Sequence, residues 1–187
     1  MDFFEFILII TSVIYALCMA PLLSGFVRVL QFDGKVKHFL PQILLSLYLF
    51  MFVIVVWWTI WWFRNVSWHF ATYLFVILEP VLLYIACALV FPNKISGDQF
   101  DMETYYYKVR VPILTVSLLA VIFVFADGVV MGIESVWHSR RYVQIFSAGL
   151  ILWALIDTRR VAQYVFTIGG LAAMIALIAG WFWAPAA

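Results

Sequence analysis

The sequence predicts an all-α fold: a polytopic transmembrane helix bundle of about six spans with both termini outside. Three observations carry that prediction. First, 67% of the 187 residues are apolar and 19% aromatic, while only 11% are charged. A soluble domain averages about 45–50% apolar and about 25% charged, and a globule of this size exposes too large a share of its area to hide that surplus. Second, the apolar residues fall into runs long enough to cross a bilayer, which takes about 20 residues. Third, the basic residues between the runs alternate in density from one loop to the next.

The runs are 3–29, 39–63, 70–91, 111–133, 142–156 and 161–183. They belong to one domain, residues 1–187. The first has Asp2 and Glu5 where a cleaved signal has basic residues, and Pro21 follows its small-residue site at Ala20. It is expected to remain as a span. The fifth run is short, about 15 residues or 22 Å of helix. It crosses if its flanking charges snorkel or the bilayer thins, and is otherwise re-entrant.

Basic residues decide the orientation. Arg28, Lys35 and Lys37 lie between the first two runs, Lys94, Lys108 and Arg110 between the third and fourth, and Arg159 and Arg160 between the last two. The opposite loops hold Arg64, Arg140 and Arg141. By the positive-inside rule the richer loops are cytoplasmic and both termini lie outside. Net charge is +1, which gives no reason to expect nucleic acid. The bilayer itself is the expected partner.

Trp57, Trp58, Trp61 and Trp62 crowd the outer end of the second run. Indoles favour the membrane interface, so they form an aromatic belt, or else a ligand-facing wall, since the pairs four apart share helix faces. The long cytoplasmic loop 92–110 opens on Pro92. It carries Asp98 and Asp101 as a helix-capping pair and continues through Tyr105, Tyr106, Tyr107, Lys108 and Arg110. A short interfacial helix is expected there, with these tyrosines and cations touching lipid headgroups.

Small residues let helices approach in lipid. Gly128 with Gly132 forms one such face, and Ala172, Ala176 and Gly180 another. They pack within the bundle or join copies into a homo-oligomer. Cys18 and Cys87 sit inside apolar runs and read as small hydrophobes.

Chemistry is sought where charge enters the hydrocarbon, because that costs about 2.5–3.5 kcal/mol on insertion scales. Glu79 lies near the middle of the third span and is followed by Pro80, which removes a backbone hydrogen bond. Such an acid holds a proton or cation, or else stays protonated and ties two helices together. Asp127 follows in the outer half of the fourth span, and Glu134 beyond it near the interface. Together with basic and imidazole neighbours they outline a polar vestibule. Pro21 and Pro80 are the expected helix kinks.

No His, Cys and acid spacing suits a metal, and no cofactor is expected. No nucleophile with its base and no phosphate loop appears, so an enzyme is disfavoured. The single Pro41–Gln42 pair lacks the repeat that such pairs have in PQ-loop transporters. Two functions compete: a small transporter or channel for protons, cations or a small solute, and a non-transporting membrane module such as a sensor, assembly factor or partner subunit.

The acidic apolar first span, the tryptophan-rich second hairpin and the Tyr105–Tyr106–Tyr107 loop followed by basic residues resemble a recurrent kind of small bacterial multi-span membrane protein with no assigned role. The resemblance implies a multi-pass protein of a bacterial inner membrane and no particular activity.

Overall fold

A computed structural model describes residues 3–132 and 139–183. Six α-helices carry nearly all of it: α1 (Phe3–Leu30), α2 (Leu40–Thr59), α3 (Phe70–Val90), α4 (Met102–Val130), α5 (Ser139–Ile156) and α6 (Arg160–Trp183). A 3-10 segment, Ile60–Asn65, extends α2. Two three-residue strands, β1 (Lys35–Lys37) and β2 (Gln99–Asp101), pair in parallel, with Lys35 opposite Gln99 and Lys37 opposite Asp101. Five helices are long and apolar enough to cross a membrane, and α5 is the shorter one. The protein is a multi-pass integral membrane protein.

α3 packs against α1, α2 and α4, while α6 packs against α2 and α5, and α4 meets α5. Many large apolar side chains on the outer faces remain exposed, among them Ile9, Leu17, Leu47 and Ile168. In water such a surface would be costly; in lipid it is solvated.

The loops sort to the two ends as the charge count requires. The β1–β2 pair joins the loop after α1 to the loop after α3. Arg160, at the start of α6, grips both carboxylate oxygens of Glu103 at the start of α4, at 2.6 and 2.9 Å. The three basic-rich loops therefore share one end of the bundle. At the other end Phe4 meets Trp61 edge-on at 6.4 Å.

Local sequence explains the boundaries. Pro41 stands in the first turn of α2, where its missing N–H costs nothing. Asp101 caps α4, accepting from the backbone N–H groups of Glu103 and Thr104. Gly132, with φ of +67°, follows the end of α4 in a conformation that suits glycine. α1 and α3 run on as helices through Pro21 and Pro80.

Two expectations change. The interfacial helix and the fourth span are one continuous helix, because Asp101 caps it and Pro112 interrupts nothing downstream. The fifth helix is three residues longer than its apolar run and takes in Arg141. Its 18 residues span about 27 Å at the usual rise.

Its C-terminal carbonyls end inside protein, where they need donors. Arg110 donates to the carbonyls of Ala154 and Leu155. Gln163 donates to those of Ala154 and Asp157, both at 2.9 Å. The Tyr106 hydroxyl in turn donates to Gln163 Oε1 at 2.6 Å. Tyr106 and Arg110 are thereby buried, which corrects their assignment to lipid headgroups; Lys108 alone of the five is fully exposed, and Tyr105 and Tyr107 are half-buried. Gln42 does the same service for α3, donating to the carbonyl of Val90 at 2.7 Å.

Candidate functional site

Glu79 and Asp127 are both buried, at 2% and 3% exposure. They come from α3 and α4 and line the same cavity. From α1, the Tyr15 hydroxyl donates to Glu79 Oε1 at 3.1 Å. One turn along, the Cys18 thiol donates to the carbonyl of Pro80 at 3.2 Å. The Glu79–Pro80 step thus faces α1 on one side and α4 on the other.

Arg141 completes the cluster. It sits in the first turn of α5 at 1% exposure. Its guanidinium donates to the carbonyl of Phe125 at 2.6 Å and to Gln144 Oε1 at 3.1 Å, and lies 4.9 Å from the Phe125 ring centre. Gly128 makes room for it: a Cβ there would collide with the guanidinium. Gly128 is therefore a socket within the chain, and Gly132 a helix terminator. Ala172, Ala176 and Gly180 of the second small-residue face lie exposed on α6.

These side chains border a cavity of about 90 Å³. A water needs about 10–15 Å³ on this measure, so it holds several. It is lined by Glu79, Asp127 and Tyr48, by Gln144 and Ser147 of α5, and by Thr59 at the end of α2 with Trp62 in the 3-10 segment after it. On α2, α4, α5 and α6 the lining residues, Tyr48 apart, lie in the half nearer the 60–69 loop. The cavity therefore occupies that half of the bundle, away from the basic loops. No N–H or O–H among the described residues donates to Asp127 Oδ1. Buried polar atoms in that state mark sites of water or ligand.

The candidates read from sequence fare differently. Glu79 and Asp127 are brought together, and Pro80 lies beside them. Pro21 is half-buried and belongs to no part of the cluster. The tryptophan group divides: Trp57, Trp58 and Trp61 face outward, 41–64% exposed, and Trp62 lines the cavity. Glu134 falls outside the described residues. Tyr15 escaped the reading from sequence, and Arg141 entered it only as one of several basic neighbours on the outer side. Tyr15 carries no charge to flag it, and Arg141 adjoins a loop, where exposed charge is the ordinary case. The available signal was the shortness of the fifth run, which leaves its flanking charge at membrane depth. Among the described residues no three His, Cys, Asp or Glu side chains gather as a metal would need.

No family model, curated protein or solved structure matches this chain.

Proposed function

We propose that this integral membrane protein is a small proton-linked transporter, with Glu79 and Asp127 as the proton carriers. One observation carries the reading: the two acids, both buried, line one cavity within the bundle. Structural acids that merely tie helices together have no need of an adjoining void or an orphan oxygen. By the charge bias of the loops, the cavity end faces outside and the basic loops face the cytoplasm; the resemblance noted above makes the membrane a bacterial inner one.

The competing role, a partner subunit or homo-oligomer, draws on the exposed Ala172, Ala176 and Gly180 of α6. Small residues facing lipid leave room for another helix.

The test is proton flux into liposomes holding the purified chain, wild type beside Glu79→Gln and Asp127→Asn. Flux in the wild type that vanishes in both variants, with thermal unfolding unchanged, is expected. Flux equal in all three removes the two acids from the pathway, and none under any pH gradient or voltage shifts the assignment to the subunit role.

A further inference from the structure

Transport past Glu79 needs a second opening. The cavity lies in the half of the bundle away from the basic loops, and a carrier opens its site to each side in turn. The way from Glu79 toward the basic loops is closed in this structure, and its weakest seam lies between α1 and α3.

Tyr15, Cys18, Leu22 and Gly25 recur at spacings of three and four, so they share one face of α1, and all four are buried. On α3 Glu79, Leu83 and Cys87 recur at spacings of four and lead to Phe91 just past the helix end; these four are buried too. The two rows meet at both ends. Tyr15 donates to Glu79 at one end. At the other the Phe91 ring sits against Gly25, where a Cβ would collide with it. Phe26 meets that ring edge-on at 5.5 Å. Phe91 thereby plugs the seam at its basic end.

Other seams in this half are held by buried hydrogen bonds. Arg110, Gln163 and Tyr106 tie α4, α5 and α6 together, and Gln42 ties α2 to α3. Among the described residues, the only side-chain hydrogen bond from α1 to α3 beyond Glu79 comes from the Cys18 thiol, and a thiol is a weak donor.

What fastens the end of this seam lies outside the helices. The β1–β2 pair draws the loop after α1 onto the loop after α3. Lys37 adds ion pairs to Asp101 at 2.8 Å and to Glu103 at 3.7 Å. Its side chain is 53% exposed, and exposed pairs of this kind are weak, so the fastening opens and recloses easily.

We infer that the α1–α3 seam is the gate on the side of the basic loops, with Phe91 as its plug and the β1–β2 pair as its latch, held shut in this structure. This rests on the transport reading above and adds the route by which the path continues past Glu79.

The chain has two cysteines, Cys18 and Cys87, and both are free and buried in this seam. Maleimides react with the thiolate, so alkylation reports water entering the seam. The full chain in liposomes is treated with N-ethylmaleimide, and each cysteine is followed by mass spectrometry. Lys37→Gln is expected to speed alkylation about two- to fivefold, with thermal unfolding unchanged. Equal rates in the variant and the wild type overturn the latch.

A second measurement holds the latch closed. Lys35 and Gln99 are exposed partners across the strand register. In a chain carrying Cys18→Ala and Cys87→Ala, Lys35→Cys with Gln99→Cys is oxidised to a disulfide and then reduced. Proton flux is expected to stop on oxidation and return on reduction. Flux that survives complete cross-linking overturns the gate and leaves the transport reading standing. Absence of flux in the wild type overturns the transport reading, and the gate with it. The alkylation rates decide alone if the cross-linking variant is inactive even when reduced.

Discussion

Gly128 and Gln163 show how much can depend on one side chain, or on its absence. Gly128→Ala places a methyl group against the Arg141 guanidinium. The arginine must then leave the carbonyl of Phe125, and a loss of about 1–3 kcal/mol is expected from the overpacking alone, read as a lower unfolding temperature in detergent. Gln163→Leu keeps the volume and removes the donor to Asp157 and the acceptor for Tyr106. Unsatisfied buried groups of this kind cost about 1–3 kcal/mol each; unchanged stability in that variant would show that water replaces the amide. At this scale the sequence was partly legible. A charge in mid-span announces itself, so Glu79 and Asp127 stood out. Tyr15, Gln163 and Gly128 look ordinary in their runs, and their roles come from partners at least six residues away in the chain.

Among the elements, the strand pair is the most open to perturbation. Lys37 Nζ lies 2.8 Å from Asp101 Oδ2, directly across the β1–β2 register. The hydrogen bond from Lys37 holds the Asp101 carboxyl below its usual range, and the bond to Asp101 raises the lysine. A depressed acid contributes stability that is present above its unfolded value, about 3.9, and is lost as pH falls through the lower folded one. The raised lysine contributes below its unfolded value, about 10.4, and loses that contribution as pH rises through the higher folded one. Protection of the amides over residues 33–38, taken relative to their intrinsic exchange rates at each pH, should therefore fall below about pH 4 and be steady near neutrality. Asp101→Asn should remove the acid response. Exchange that is flat down to pH 2 would mean that the backbone pairing holds without the ion pair. Helix positions were legible because apolar runs and caps are local. The merging of the interfacial helix into α4 was not, since the apolar run begins only at residue 111, whereas Asp101 starts the helix earlier. Strands of three residues leave no periodic trace at all.

For the whole molecule, six helices with the basic loops gathered at one end require both termini on the opposite side. Alkaline phosphatase fused after residue 183 should be active in cells and a fluorescent protein there dark, with the reverse for fusions after residue 95. Active phosphatase at both places would break the arrangement. This level was the most legible, because hydropathy and charge asymmetry act on whole segments. The cavity was the least, since a void is made by the shapes of five helices together.

The strand pair has one more consequence, for the order of synthesis. Lys37 and Asp101 stand 64 residues apart, so their link can close once α1, α2 and α3 have emerged from the ribosome and most of α4 has not. The first three helices are then tied as a unit in the membrane, and Glu79 is already beside Tyr15 within it. Asp127 arrives afterwards, as the second partner of an acid that spent its first moments in the bilayer with a tyrosine for company.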